Sequence, residues 1–250
     1  MEVAKKNDLP VISTTKRNDF VELKFTGYAN GNIFDSNVEE DLKKLNPNEK
    51  PKETIVVIGQ GMVVEGLDKA IEGKEIGKEY EVKISAKEGF GERRRELVKT
   101  IPLKVFIEQK INPYPGLVLA MDQAIARIVA VSGARVVTDF NNPLAGKDLA
   151  YKFKIVRKVT DDNEKAKTLL LFMFKFVPEF EVGENVIVKG PKILEHYANA
   201  FNPKFKELMG KELKLEIVEN KKEKAEEAEK TEESKREEND KQKIESDEIK

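Results

Sequence analysis

Cysteine is absent from the 250-residue chain, and histidine occurs once. The first absence excludes disulfides and thiolate metal sites. The second leaves His196 alone on a short helical stretch, so neither a histidine-dependent triad nor a multi-histidine metal site is available. No apolar run reaches the roughly 20 residues that cross a bilayer, and Met1 to Thr15 lacks the apolar core of a secretory signal. A basic excess is missing too. The 45 Lys and Arg meet 46 Asp and Glu, for a net charge of −1, which argues against a dedicated nucleic-acid binder. These absences predict a cytoplasmic protein with no cofactor, no metal, and no membrane or nucleic-acid partner.

What is present is enough for real cores: 39% of the residues are hydrophobic. Charged residues reach 36%, above the roughly 25% of an ordinary globular chain, and part of that excess is local. From Lys221 to Lys250, 21 of 30 residues are charged and only Ile244 and Ile249 are large and apolar. Such a segment cannot bury enough surface to offset its ordering entropy, so a solvated tail is predicted.

Ahead of the tail the pattern alternates. Asp19 to Tyr28 reads as a strand, Asn30-Gly31 as a turn, and Ile33-Phe34 as the start of a second strand. Asn46 to Lys52 is a loop, Thr54 to Ile58 a short buried strand, and Val63 to Glu72 a short amphipathic helix. Tyr80, Val82 and Ile84 alternate as a strand, and Gly89-Phe90-Gly91 makes a turn. From Glu92 a proline-punctuated stretch has strand-like pieces at Leu117 to Met121, Ala124 to Val131 and Arg135 to Thr138. Alternation returns from Leu149 to Val156. Beyond a linker at Asp161-Asp162-Asn163, the pattern predicts a strongly apolar strand from Leu169 to Val177 and a strand at Asn185 to Val188. A helix near Ile193 to Ala200 and a last strand from Glu212 to Val218 complete it.

Gly59-Gln-Gly61 has the look of a dinucleotide loop, but its third glycine is misplaced and no βαβ context surrounds it. A different set is specific in order and spacing: Phe25-Thr26-Gly27, Gly31, Phe34-Asp35-Ser36, Gly59, Gly61-Met-Val-Val64, Gly66-Leu67, Ala70, Gly77 and Gly89-Phe90-Gly91. It resembles the FKBP-type prolyl isomerase domain over about Asp19 to Gly91, and the likeness resumes from Pro143 to Val159. The fifty or so intervening residues resemble the insert-in-flap domain of SlyD-like and archaeal members, which binds unfolded chains. The layout after Lys158 resembles the long archaeal type, which carries a further C-terminal domain.

The resemblance implies an α+β fold: an FKBP-like antiparallel sheet wrapped on a short helix, an inserted small β-rich domain, and a C-terminal α+β domain. The implied boundaries are an extension at 1–17, the isomerase domain at 18–91 and 139–160, the insert at 92–138, the C-terminal domain at 161–220, and the tail at 221–250. The implied activity is cis-trans isomerisation of X-Pro bonds in folding polypeptides. The cup for the proline ring would comprise Phe25, Phe34, Val56, Val63, Val64, Leu67, Phe90 and Tyr151, with Asp35 as its polar group. Leu67 would be the floor, and the Val64 N–H would hold a substrate carbonyl. Phe25 and Phe90 stand where relatives often carry Tyr, which removes two hydroxyls from the site. For the insert, Leu97, Ile101, Val105, Phe106, Tyr114, Leu117, Leu119 and Met121 are the candidate surface for unfolded chains. Relatives often have a histidine-rich metal-binding tail; this one has no His and no Cys, so metal binding is not carried over. Two other readings stand beside the enzyme. One is a non-catalytic holdase. The other is an assembly role, in which the C-terminal domain forms a homodimer or docks on a larger machine such as the ribosome.

Overall fold

A computed structural model describes residues 13–121 and 124–218; the first twelve residues and the charged tail at 221–250 lie outside the described residues. The chain divides after Val159 into two compact units.

In the first unit, β1 (Phe20–Ala29) and β2 (Asn32–Ser36) form a hairpin. Both residues of its tip, Asn30 and Gly31, take positive φ, the conformation that a two-residue turn needs to match the twist of its strands. Helix α1 (Glu39–Leu45) follows, then β3 (Ile55–Val57), α2 (Glu65–Ile71) and β4 (Glu79–Ile84). The last strand of the unit, β9 (Leu149–Lys158), enters between β1 and β4, giving the antiparallel order β2-β1-β9-β4 with β3 paired to β1. Alternation explains which face is buried: Leu149, Tyr151, Phe153 and Ile155 of β9 pack on Leu67 and Ile71 of α2, while Lys152 and Lys154 point away.

The excursion between β4 and β9 leaves and returns at one end of the sheet. The Gly146 N–H donates to the Gly91 carbonyl at 2.8 Å, and the Ala86 N–H donates to the Asp148 carboxylate at 3.0 Å. A long insertion is therefore compatible with an undisturbed sheet, since its two ends are already held together. Its elements are β5 (Val98–Pro102), α3 (Leu103–Glu108), β6 (Val118–Met121), β7 (Ala124–Ser132) and β8 (Arg135–Asp139). They form a sheet of order β5-β8-β7-β6 around a small core of Phe106, Ile128 and Val136. Helix α3 was not expected from the sequence; Pro102 directly before it suits a helix start.

Thr138 on β8 is fully buried, and its hydroxyl has no hydrogen-bond partner among the described residues. A buried hydroxyl left unpaired is a net cost, whereas a methyl of the same shape is not. Thr138→Val is expected to stabilise the insert by about 1 kcal/mol, read as a higher urea midpoint with an unchanged slope.

The second unit contains α4 (Asp162–Phe174), β10 (Glu179–Val182), β11 (Val186–Gly190), α5 (Leu194–Met209) and β12 (Leu213–Ile217). Here two expectations need correction. The apolar run from Leu169 is not a strand: it completes α4, which begins in the expected linker. Asp161 caps that helix by accepting the Glu164 N–H at 2.9 Å. The buried residues Ala166, Leu169, Leu170 and Phe174 recur at helical spacing. The unbroken sequence Leu-Leu-Leu-Phe-Met-Phe conceals that period. Helix α5 also continues nine residues past Ala200, through Pro203, to a left-handed Gly210. Proline deletes one N–H donor, and Asn202 takes a structural role by accepting the Leu213 N–H at 2.9 Å. Strands β11 and β12 pair in parallel, with β10 antiparallel on β11. Among the described residues no helix is long and apolar enough to cross a membrane.

Candidate active site

The site begins with a register irregularity. Gly27 pairs with Asp35 while Tyr28 pairs with Ile33, so Phe34 is the extra residue of a bulge between β1 and β2. A Cβ on Gly27 would lie 2.7 Å from the Phe34 ring and 3.0 Å from the Tyr151 ring. Glycine is therefore needed there for space, and its bareness lets both rings close over the strand. Phe34 meets Tyr151 edge-on at 5.7 Å and Phe90 edge-on at 5.8 Å between centroids. Phe25 lies 6.1 Å from Tyr151 on the other side.

A polar network behind the bulge fixes it. Asn37 accepts the Phe25 N–H at 2.7 Å and donates to the Leu23 carbonyl at 2.7 Å and the Thr54 hydroxyl at 2.9 Å. Thr26 bonds the Ser36 hydroxyl at 2.9 Å and the Asp41 carboxylate at 2.8 Å. These contacts bracket Phe34 and Asp35 on both sides and limit their freedom to swing.

Across the cup, Gly59 and Gly61 take positive φ and direct their N–H groups to the buried Asp68 carboxylate at 2.8 and 2.9 Å. That clasp positions Met62-Val63-Val64 at the entry to α2. Val64 is the residue preceding the helix; its N–H has no acceptor among the described residues. Leu67, one turn on, is 1% exposed and belongs to the same cluster as the rings.

All eight apolar residues expected in the cup belong to one cluster. Val56, Leu67 and Tyr151 are buried, while Phe25, Phe34, Val63, Val64 and Phe90 pack against them half-buried. Met62 and Leu144 join the cluster without having been expected. Leu144 lies where the likeness resumes after the insert, and nothing local marks it as core. Asp35 sits at the mouth, largely exposed. Partial enclosure raises its carboxyl above the usual aspartate value; the Ser36 backbone opposes this, and the Glu49 charge adds to it. Burial, with a further contribution from the Asp35 charge, pushes the Tyr151 phenol up to about 12. Tyr151 therefore stays a neutral hydrogen-bond donor at ordinary pH. A separate groove of about 570 Å³, lined by Tyr28, Glu81, Lys83 and Lys152 among others, shares none of the cup's side chains.

In the insert, Phe106 is 1% exposed. It belongs to the core and not to the surface expected for unfolded chains. Ile101, Leu117, Leu119 and Met121 pack half-buried on that core, Leu97 and Val105 are half-buried, and Tyr114 is exposed. Ile125, an apolar residue of the same stretch, is exposed, and so are Ile107 and Val118, neither of them singled out from the sequence. Among the described residues no group of three or more His, Asp or Glu side chains is placed to hold a metal ion.

A ring-lined apolar cluster with a spare backbone donor is the kind of site suited to reshaping a bond without breaking one. The comparisons with known proteins agree. The profile of the FKBP-type peptidyl-prolyl cis-trans isomerase family matches residues 13–107, and the profile described as FKBP26, IF domain matches residues 99–144. A short-type peptidyl-prolyl cis-trans isomerase of Methanocaldococcus jannaschii is 31% identical over 148 residues, covering 58% of this chain and 94% of that protein. The FKBP-type isomerase SlyD of Yersinia pestis is 33% identical over 109 residues, which is 42% of this chain and 56% of that protein. SlyD of Haemophilus influenzae is 34% identical over 103 residues, 39% of this chain and 53% of that protein. The chain belongs to the FKBP-type peptidyl-prolyl cis-trans isomerase family, and is an enzyme of that class.

Proposed function

We propose that the cup around Leu67 binds the proline ring of a client polypeptide, and that the inserted domain holds the unfolded chain beside it. The observation that carries this reading is the convergence of Phe25, Phe34, Phe90 and Tyr151 over Leu67. Rotation about an X-Pro bond must break amide resonance, a barrier of about 18–20 kcal/mol. The transition state is a twisted amide whose carbonyl has lost conjugation. An environment that excludes water and favours that state over the planar ones lowers the barrier without covalent chemistry. In this reading Leu67 is the floor, and Phe25, Phe34, Val63 and Phe90 are the walls. The Val64 N–H and the neutral Tyr151 hydroxyl are donors for client carbonyls, and Asp35 is a charge at the rim. Phe25 and Phe90 contribute shape alone, since neither has a hydroxyl.

The insert's part rests on its surface. Ile107, Tyr114, Val118 and Ile125 are exposed, and Leu117, Leu119 and Met121 are only half-buried on the small core, a large share of apolar surface left outside so small a core. The isomerase domain in this reading comprises 18–91 and 139–160, and the insert 92–138. The test compares catalysis of a proline-limited protein refolding by the full chain and by a chain lacking the insert. Equal rates would remove the holding role.

The second unit supports a homodimer. Phe176 and Tyr197, both about half exposed at 49% and 48%, each touch Phe174, at 6.1 and 6.3 Å between centroids. Together they form one aromatic surface made by the end of α4, the bend that follows it, and α5. Leu171 and Ile193 are exposed as well. Sedimentation is expected to give twice the chain mass for the wild type and the single mass for an Ile193→Asp, Tyr197→Asp variant. A wild type at single mass would discard the dimer.

A further inference from the structure

A second cleft, of about 540 Å³, lies where the insert joins the isomerase sheet. Its wall is partly apolar, with Pro115, Val129, Pro143 and Ala145, and partly cationic, with Arg93, Arg127 and Lys147. Asp139 is the single carboxylate in the lining, and it is already engaged. It accepts two N–H bonds from Arg93 at 2.7 and 3.2 Å, and the backbone and side-chain N–H groups of Asn141 at 2.9 and 2.7 Å. Arg127 pairs with Asp139 in the strand register, yet its guanidinium forms no ion pair among the described residues, and neither does the Lys147 ammonium. The cleft thus has two unspent positive charges beside an apolar floor. Charges of one sign in a concave, partly apolar site focus their field there more strongly than on an open surface.

Its position gives that charge a use. The return segment from Asn142 to Lys147 is pinned at Gly146 to Gly91, next to Phe90 of the cup. Leu144 of this segment packs into the cluster that forms the cup, while Pro143, Ala145 and Lys147 face the cleft. One short segment therefore both packs into the core that includes the cup's residues and lines the cleft. A polypeptide leaving the cup over Leu144 toward the insert would pass directly along the cleft.

We propose that this cleft is a client subsite selecting an acidic residue: an Asp or Glu a few positions from the bound proline docks its carboxylate between Arg127 and Lys147. The inference rests on the cup being the proline site. It assigns the enzyme a preference, at a distance from the reacting bond, for unfolded segments in which carboxylates accompany apolar residues. Both kinds of surface are present in the lining.

The test uses the full chain and blocked peptides with one central Leu-Pro, carrying Glu, Gln or Lys at one position. That position is scanned over about three to six residues on either side, because an extended chain advances about 3.3 Å per residue. Exchange NMR gives the isomerisation rate and KM, and titration gives Kd. At the best position the Glu peptide is expected to bind about 5–10-fold more tightly than the Gln peptide at low salt, and less than about 2-fold more tightly at about 0.5 M salt. In Arg127→Gln, Lys147→Gln the ratio falls to about 1, and in Arg127→Glu, Lys147→Glu the Lys peptide becomes the tighter binder. A ratio near 1 at every position in the wild type, or one that survives in the Gln variant, overturns the subsite. Failure to isomerise any of the peptides would count against the cup instead, and the Kd ratio would still decide the cleft.

Discussion

Phe34→Ala is expected to lower kcat/KM for a short proline peptide by about 30–100-fold, corresponding to about 2–2.7 kcal/mol of lost transition-state stabilisation. Phe34 is the ring shared by both sides of the cup, in edge contact with Tyr151 and Phe90, and it occupies the space that bare Gly27 leaves open. With the cup as the proposed site, removing it lets water into the place where the twisted amide would be shielded, and frees Tyr151 and Phe90 to relax inward. Stability should suffer less than activity. Phe34 is only half-buried, so the loss should fall below the about 3–5 kcal/mol typical of a fully buried Phe→Ala. Phe34→Leu, which keeps an apolar wall of smaller size, should fall between the two. An unchanged kcat/KM in a folded Phe34→Ala protein would move the catalytic site elsewhere.

The features that build this cup differ in how they can be read from sequence. The strands carrying Phe25 and Tyr151 show a period of two, and the hairpin tip is marked by Asn30-Gly31, so β1, β2 and β9 are legible from local chemistry. The residues proposed for the cup can be picked out as an ordered set, because short pieces that are weak singly become specific together, and the structure gathers them into one cluster. What holds them in place is not legible. Asp68 reads as a surface carboxylate of an amphipathic helix, yet it is buried, because the Gly59–Gly61 turn brings two backbone donors to it. Asn37 carries no mark in the sequence, yet it serves as a three-bond bracket between β1 and the Thr54 loop. Leu144 depends on a return path across more than fifty intervening residues, which no periodicity records. The misread of α4 has the opposite cause: there the local signal was present, in Asp161 and Glu164 at capping distance, but an apolar run with no polar face looked like a buried strand. In the insert, a high density of apolar residues did not distinguish Phe106, which the module consumes as its own core, from Tyr114, which it leaves exposed.

Removing the insert should separate the isomerase activity from the holding role proposed for the insert. Arg94 and Asn141 bond each other twice, the Arg94 N–H to the Asn141 side chain at 2.9 Å and the Asn141 amide to the Arg94 carbonyl at 2.9 Å. The chain can therefore be closed there by a two-residue Asn-Gly turn, deleting residues 95–140 while keeping Leu144 in its cluster. Cutting at the nearer glycines would sacrifice Leu144 and confuse the result. For a short peptide, which needs only the cup, kcat/KM of the shortened chain is expected to stay within about 3-fold of the full chain. For a protein whose refolding waits on a proline, the catalysed rate should fall by about 100-fold or more. Holding the chain at a second surface makes the encounter with the cup intramolecular, and the gain lost is of the order of 10²–10⁴. Suppression of aggregation should disappear in the same variant, because the exposed apolar side chains Ile107, Tyr114, Val118 and Ile125 leave with it. A fall of equal size in both assays would instead show that the insert supports the cup mechanically, through the pinned segment at Gly91 and Gly146. Unchanged refolding would leave the apolar surface without the role proposed for it.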